Sequence, residues 1–372
     1  MTSRLHPVNS RLVAWARIGV GVAAITRGIE GIPVLVGLTD PRRLRVPYVS
    51  WLNPTSAIVT TLIVVWIISA ALFTVGYRSR TAGVILTLTI AMVLALDRQT
   101  YSNHLYLMML LAGLLTVSDS GAALSIDAVR GRSSSTTSGW AVFLLKCQVS
   151  IVYGFAALWK LNVAFLSGSV LAGQLGTGLV SFPEGLRTSH VLAFMSVAAV
   201  ASEFTIAIGI WFTRSRGAAI ALAVILHASI VAFMAPTVQL LIFAVELMVL
   251  YPLFIGGHER VIVWSDSCPT CRTWVGRLSK ADLFGLLRPE CQTTQEGPSA
   301  AAGRQRSLDD AIWLVDGEEQ YSGFEAVRRI LGLLPVIYLL APFLGLPGIR
   351  QLGAWWYRRI VEPGSPRKAG AR

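Results

Sequence analysis

The feature that most constrains this chain is a series of apolar blocks, each about as long as a bilayer core is thick, roughly 20 residues of helix. They are read over 12–36, 56–76, 81–97, 103–118, 139–162, 190–212, 217–234 and 237–256. Lipid offers no water to backbone N–H and C=O groups, so such a segment must satisfy itself as a helix. Composition agrees: 54% of the 372 residues are hydrophobic and 14% charged, against about a quarter charged in soluble domains. The expected fold is an all-α polytopic membrane helix bundle of about eight spans over 10–256. The fourth block is short and is expected to be partly buried. Pro236 should close a hairpin between the last two blocks, because proline cannot continue a helix interior. Residues 163–189, rich in Gly and Ser, read as a re-entrant or surface segment that protein must bury. No cleavable leader is expected, since the first eleven residues are mostly polar and Arg17 and Arg27 interrupt the first block.

The formal charge of +12 does not point to nucleic acid, because no basic-aromatic binding module accompanies it. Lys and Arg instead gather in short loops of one side, as the positive-inside rule describes. Arg4, Arg11, Arg78, Arg80, Arg130, Arg132, Arg214 and Arg216 all fall on one side of an eight-span chain, while Arg42, Arg43 and Arg45 dissent. The expectation is a multi-pass protein of a bacterial plasma membrane, lipid bilayer around it and both ends of the bundle cytoplasmic.

After residue 257 charged residues become common and apolar runs shorten. Residues 260–264 and 311–315 read as buried strands and 271–281 as a helix, so a small α/β domain is expected over 258–362. Residues 292–307 read as a loop. The apolar stretch 331–349 carries Pro335, Pro342 and Pro347 and is expected to form amphipathic helices, on the domain or on the membrane surface. Between the first strand and the helix lies Ser265-Asp266-Ser267-Cys268-Pro269-Thr270-Cys271. A helix N-terminus carries partial positive charge and favours a thiolate on Cys268, with Cys271 one turn on to resolve a mixed disulfide. The competing reading is a zinc half-site. It would need two further ligands, and only Cys291 and His258 offer themselves, at unpromising spacing. No metal is therefore expected.

These residues resemble the DCC family of thiol-disulfide oxidoreductases. The similarity continues through Ser322-Gly323-Phe324-Glu325-Ala326 and a tail ending near Trp356-Tyr357-Arg358. It implies a thioredoxin-like fold, Cys268 attacking, Cys271 resolving, and a thiol redox partner. The family's acid usually stands three residues before the first cysteine, where this chain has Ser265; Asp266, one position later, takes its place as candidate.

Ionisable residues inside apolar blocks are functional candidates by default. Lys146, Ser150, Tyr153 and Lys160 are spaced to share one helical face. Arg17, Arg27, Glu30, Glu203 and Glu246 add further charge, and for Arg17, Glu203 and Glu246 interhelical ion pairs are an equal reading. Asn103-His104-Leu105-Tyr106, the stretch Tyr153 to Asn162, and Leu226-His227 are similar to vitamin K-dependent gamma-carboxylases. More broadly they resemble the HTTM (horizontally transferred transmembrane) domain. The resemblance implies Lys160 as a base toward a reduced quinone, with His104, His227, Tyr153 and Asn103 around the ligand and a quinone as cofactor. Trp159 stands where the carboxylases have a second lysine, and their large lumenal region is absent, which argues against glutamate carboxylation. The leading expectation is a membrane redox protein with a quinone-type site in the bundle. A plain membrane anchor and a transporter using the buried charges are the alternatives.

Overall fold

The computed structural model describes residues 7–49, 53–235, 237–265, 269–292 and 312–360. The apolar blocks fold as helices: α1 (Ser10–Glu30), α2 (Ile32–Gly37), α3 (Ser56–Val75), α4 (Ser79–Leu96) and α5 (Asn103–Val117). After these come α6 (Gly139–Trp159), α7 (Val163–Leu166), α8 (Ser169–Gln174), α9 (Ser189–Gly209), α10 (Thr213–Phe233), α11 (Thr237–Met248) and α12 (Pro252–Ile255). Polar residues mark the starts. Asn9, Thr55, Ser102 and Thr188 each accept a hydrogen bond from a backbone N–H of the first turn, satisfying donors that a helix start leaves open. Among the described residues seven helical stretches are long and apolar enough to cross a membrane, the last being Val238–Ile255, whereas Asn103–Val117 is shorter. The first apolar block does not run unbroken to residue 36. It ends at Glu30 and restarts at Ile32, with Pro33 in the first turn of α2.

The buried Arg17 organises one end of this unit, Met1–Phe254. Its Nη1 donates to the carbonyls of Ser120 (2.5 Å) and Ala123 (3.3 Å), and its Nη2 to those of Leu124 (2.6 Å) and Thr74 (3.5 Å). The cation thus joins α1 to the end of α3 and to the loop after α5. Gly76 closes α3 in the left-handed region, at φ 67. A Cβ there would stand 3.0 Å from the guanidinium carbon, so both its conformation and its size are dictated. Asp127 holds the adjoining turn. It accepts from Arg78 N (2.9 Å), Ser79 N (2.8 Å) and Ser79 Oγ (2.9 Å), while its own N–H donates to Gly76 O at 3.0 Å.

Residues 163–189 are mostly exposed rather than buried by protein, and the apolar members that are buried are Phe165, Leu171, Leu175 and Phe182. Leu171, Leu175, Phe182 and Leu192 form a cluster packed by Met195, Phe233 and Met234. The N–H groups of Gly176 and Val180 donate to Phe233 O and Ala232 O, at 3.0 and 2.9 Å. Backbone outside a helix is thereby satisfied at the end of α10, as lipid requires.

The second unit, Ile255–Arg372, contains β3 to β6. The short strands β1 (Val8–Asn9) and β2 (Thr136–Thr137) pair antiparallel in the first unit. In the second, β3 (Arg260–Ser265), α13 (Pro269–Ala281), β4 (Leu287–Gln292), β5 (Ile312–Asp316), β6 (Glu319–Ser322), α14 (Gly323–Leu331) and α15 (Pro347–Ile360) follow in order. The sheet runs β4-β3-β5-β6. β3 and β4 are parallel across the α13 crossover, and β5 and β6 are antiparallel to their neighbours, which is the thioredoxin-type order. The two strands that hydropathy missed are the edges. β4 reads LRPECQ and β6 reads EQYS; edge strands carry polar residues and tolerate Pro289. The stretch 331–349 forms short turns at Ile337–Leu339 and Phe343–Gly345 instead of longer amphipathic helices, and α15 begins at Pro347.

Burial pushes the Asp127 carboxyl up, but the donors of Ser79 and Arg78 and the field of Arg132 hold it below its ordinary value of 3.8. Its contribution to stability is therefore present above that value and lost as pH falls through the depressed one. Asp127→Ala should lower stability by about 1–2 kcal/mol, as for other lost helix caps. Unfolding midpoints in detergent should show the gap between wild type and variant at neutral pH and its closure in acid, as pH falls through the depressed Asp127 value. An equal gap at both pH values would assign the effect to packing.

Candidate functional site

Two separate constellations carry chemistry, one in each unit. In the bundle, Tyr153 of α6 is buried, and its hydroxyl lies 2.7 Å from His227 Nε2 of α10 and 2.5 Å from the Tyr251 hydroxyl. His227 packs edge-on against Phe243 of α11 at 5.7 Å, and His104 of α5 stacks on the same ring at 4.3 Å. The structure thus brings Tyr153 and His227 into direct contact and places His104 one ring away. Asn103 is not part of this group. It is exposed at the start of α5, where its Oδ1 accepts from the Tyr101 hydroxyl at 3.1 Å.

Lys160 caps the C-terminal end of α6, and its Nζ donates to the buried carboxylate of Glu203 on α9. The same ammonium stands 5.6 Å from the Phe165 ring centroid, and its field reaches His227. The expected polar face of α6 therefore has several addresses. Ser150 Oγ donates to Ala207 O at 2.7 Å and accepts from Trp211 Nε1 at 2.6 Å, while Lys146 meets the Phe254 ring at 5.5 Å. Arg27 pairs with Glu30 on its own helix, and Glu30 accepts from Gln239 at 2.9 Å. Glu246 is fully buried, and among the described residues neither of its oxygens has a hydrogen-bond partner.

Beside Lys160 opens a cavity of about 420 Å³ between α8, α9 and α10. Phe165, Leu171, Phe194, Leu226 and Phe233 supply apolar wall, and Lys160 and Gln174 are among its few polar members. Apolar walls with a small number of placed polar groups are what a lipid-soluble ligand requires. Tyr251 and Phe243 were not singled out by sequence. Tyr251 falls between two helices just before Pro252, where no periodicity assigns it a face.

In the second unit, Asp266 and Cys268 lie outside the described residues. Their flanks are described: β3 ends at Ser265 and α13 begins at Pro269. Cys271, in the first turn of α13, is fully buried and disulfide-bonded, whereas Cys147 and Cys291 are not in disulfides. His258, considered above as a zinc ligand, instead bonds Asp316 at 2.6 Å, and Arg260 Nε donates to the same carboxylate at 3.0 Å. Burial raises the Asp316 carboxyl, but these two partners hold it below its ordinary value. They tie the start of β3 to the end of β5. Among the described residues no group of three His, Cys, Asp or Glu side chains is placed to hold a metal ion.

Comparison with known proteins agrees with this division. Residues 5–256 match the HTTM domain model, and residues 262–362 match that of the DCC1-like thiol-disulfide oxidoreductases. No curated protein and no solved structure matches the chain. A bundle of apolar helices followed by an oxidoreductase-type domain points to a membrane redox protein. The chain belongs to the HTTM domain family and carries a DCC1-like thiol-disulfide oxidoreductase domain behind its bundle.

Proposed function

We propose that this protein is a membrane-bound thiol-disulfide oxidoreductase acting through Cys268 and Cys271, with a quinone-type lipid held in its bundle. The observation that carries the thiol chemistry is the disulfide-bonded Cys271 in the first turn of a helix that directly follows the central strand β3. In the reduced pair, the Cys268 thiolate attacks a disulfide of the substrate and releases one substrate thiolate. Cys271 then attacks the mixed disulfide, freeing the second thiolate, so that the substrate gains two electrons and the pair is oxidised. A thiol redox partner returns the pair to its dithiol by the reverse exchange. The helix N-terminus stabilises the attacking thiolate, and the adjacent Asp266 is assigned to proton handling at the thiol.

The bundle cavity supports the second half of the reading. A quinone supplies a two-electron, two-proton couple, and its carbonyl oxygens need donors set in apolar walls. Lys160 and Gln174 offer such donors beside Phe165, Phe194 and Phe233. The His227–Tyr153–Tyr251 chain, with Tyr153 in the middle, supports a hydrogen-bonded route for a proton. The Lys160–Glu203 pair favours a second reading, in which Lys160 is a structural cation and the bundle an anchor. Counting α5 as an eighth crossing puts both ends of the bundle on the arginine-rich side, hence the second unit in the cytoplasm, where a cysteine pair of this spacing is more often catalytic than structural.

Cys271→Ser should trap a mixed disulfide between Cys268 and its partner, detected as a reductant-sensitive adduct, and Cys268→Ser should abolish it. Full exchange activity in both variants would remove the redox assignment. For orientation, a thiol placed at the exposed Gln351 should resist an impermeant maleimide in intact cells and react after permeabilisation. Reaction before permeabilisation would invert the topology. For the bundle, mass spectrometry of lipid extracted from purified protein should find a quinone-class molecule that Lys160→Ala depletes. Lys160→Arg should keep the Glu203 pair yet not restore bundle-dependent turnover, because a guanidinium stays protonated and cannot act as a base. Arginine rescue without any co-purifying quinone would select the anchor reading.

A further inference from the structure

Lys146 is used by neither site. It lies seven residues into α6 from Gly139, about 10 Å along the axis at 1.5 Å per residue. A cation at that depth needs an anion, water or a cavity leading to one. Lys146 meets the face of Phe254, and among the described residues no carboxylate is within ion-pair distance of it. The charged neighbour whose field acts on it is a second cation, Arg216 of α10. Among the described residues, Arg17 is matched by four carbonyls, Arg27 by Glu30 and Lys160 by Glu203. Half-buried Lys146 has no such anionic partner among them.

It also lines a cavity of about 670 Å³, distinct in its residues from the one beside Lys160. Val142 and Phe143 of α6, Ile208 of α9, and Trp211 and Phe212 from the α9–α10 turn form its apolar wall. The other polar side chains there are already engaged: Ser150 donates to Ala207 O and accepts from Trp211 Nε1. The ammonium of Lys146 is what the cavity has left to offer. This end of the bundle also carries Arg214 and Arg216 in the first turn of α10, the level at which lipid headgroups lie beside a span.

We infer that this cavity binds an anionic phospholipid, its phosphate on Lys146 and its acyl chain against Val142, Phe143 and Phe212. The match is of charge and of shape: a single anionic head joined to an apolar body meets an unmatched cation set in aromatic and aliphatic walls. A free phosphate would satisfy the cation and leave the wall unused. A lysine that merely extends toward the headgroups would show no selectivity among lipids.

Native mass spectrometry of the full chain, in detergent with equimolar phosphatidylglycerol and phosphatidylcholine, tests this. Wild type and Lys146→Arg should retain a phosphatidylglycerol in preference to phosphatidylcholine. Lys146→Met, which keeps the stem and removes the charge, should weaken that retention about tenfold, the scale of one charged hydrogen bond. Arg132→Ala, at a residue outside this cavity, should leave it unchanged. Equal retention by Lys146→Met, equal binding of the two lipids, or displacement of phosphatidylglycerol by millimolar inorganic phosphate would each overturn the proposal. Should the methionine variant fail to accumulate, a photoactivatable phosphatidylglycerol on wild type decides. Adducts within 142–150 or 207–212 support the site, and adducts confined elsewhere reject it.

Discussion

The guanidinium of Arg17 and the carbonyls it gathers express the constraint on which the bundle depends: inside lipid, every polar group must find its partner within the protein. Ser120, Ala123, Leu124 and Thr74 present carbonyls that no helix ladder consumes, and one cation collects them. The same logic recurs at Asp127, which takes the free N–H groups at the start of α4. It recurs again at Asp97, fully buried, whose oxygens accept from Val46 N at 2.9 Å and Gln99 N at 2.8 Å and so fasten the loop before α3 to the end of α4. Arg17, Asp127 and Asp97 thus act as fasteners for irregular backbone.

Against that background the groups around α6 differ. Tyr153, His227 and Tyr251 satisfy one another and no loop backbone. They fix no turn, and their removal would open no helix end. Lys160 stands between the two classes. Its bond to Glu203 satisfies a carboxylate that would otherwise be buried alone, and breaking such a pair by removing one partner typically costs about 3–5 kcal/mol. Yet it also borders the apolar cavity, so one ammonium serves an ion pair and faces a ligand-sized space. Stability and access to that space meet at this residue for a simple reason: a half-buried lysine must be held by something.

The second unit solves a different problem. Its sheet has water available, so its edges β4 and β6 can be polar, and its core lies on the central strands β3 and β5. That arrangement ends the central strand at Ser265 and starts a helix four positions later. The cysteine spacing acquires its interest from this junction, because a helix N-terminus favours the thiolate form of a nearby cysteine. Cys291, exposed on an edge strand, has the same side chain in a strand.

The bundle and the α/β domain were legible in the sequence because their signals are local. A run of apolar residues as long as a bilayer core must be helical wherever it lies, and short apolar strand patterns flanking a helical one mark a small α/β domain. The break at Gly31, the edge strands and the turns of 331–349 were less legible, since backbone breaks and polar edge strands leave weak hydropathy patterns. Side-chain partners were beyond sequence altogether. Tyr153 meets Tyr251 across a separation of 98 positions, and Arg17 meets Leu124 across 107; no periodicity relates residues on different helices. Asn103 and His104 are neighbours in the chain, yet one faces outward and the other stacks on Phe243, because adjacent residues of a helix point about 100° apart. The amino-acid sequence by itself determined which segments enter lipid and which carries the thiols. Only the tertiary structure decided which buried charges are matched, at Arg17, Arg27 and Lys160, and that Lys146 is left facing a cavity, since matching depends on distances between helices that no single segment contains.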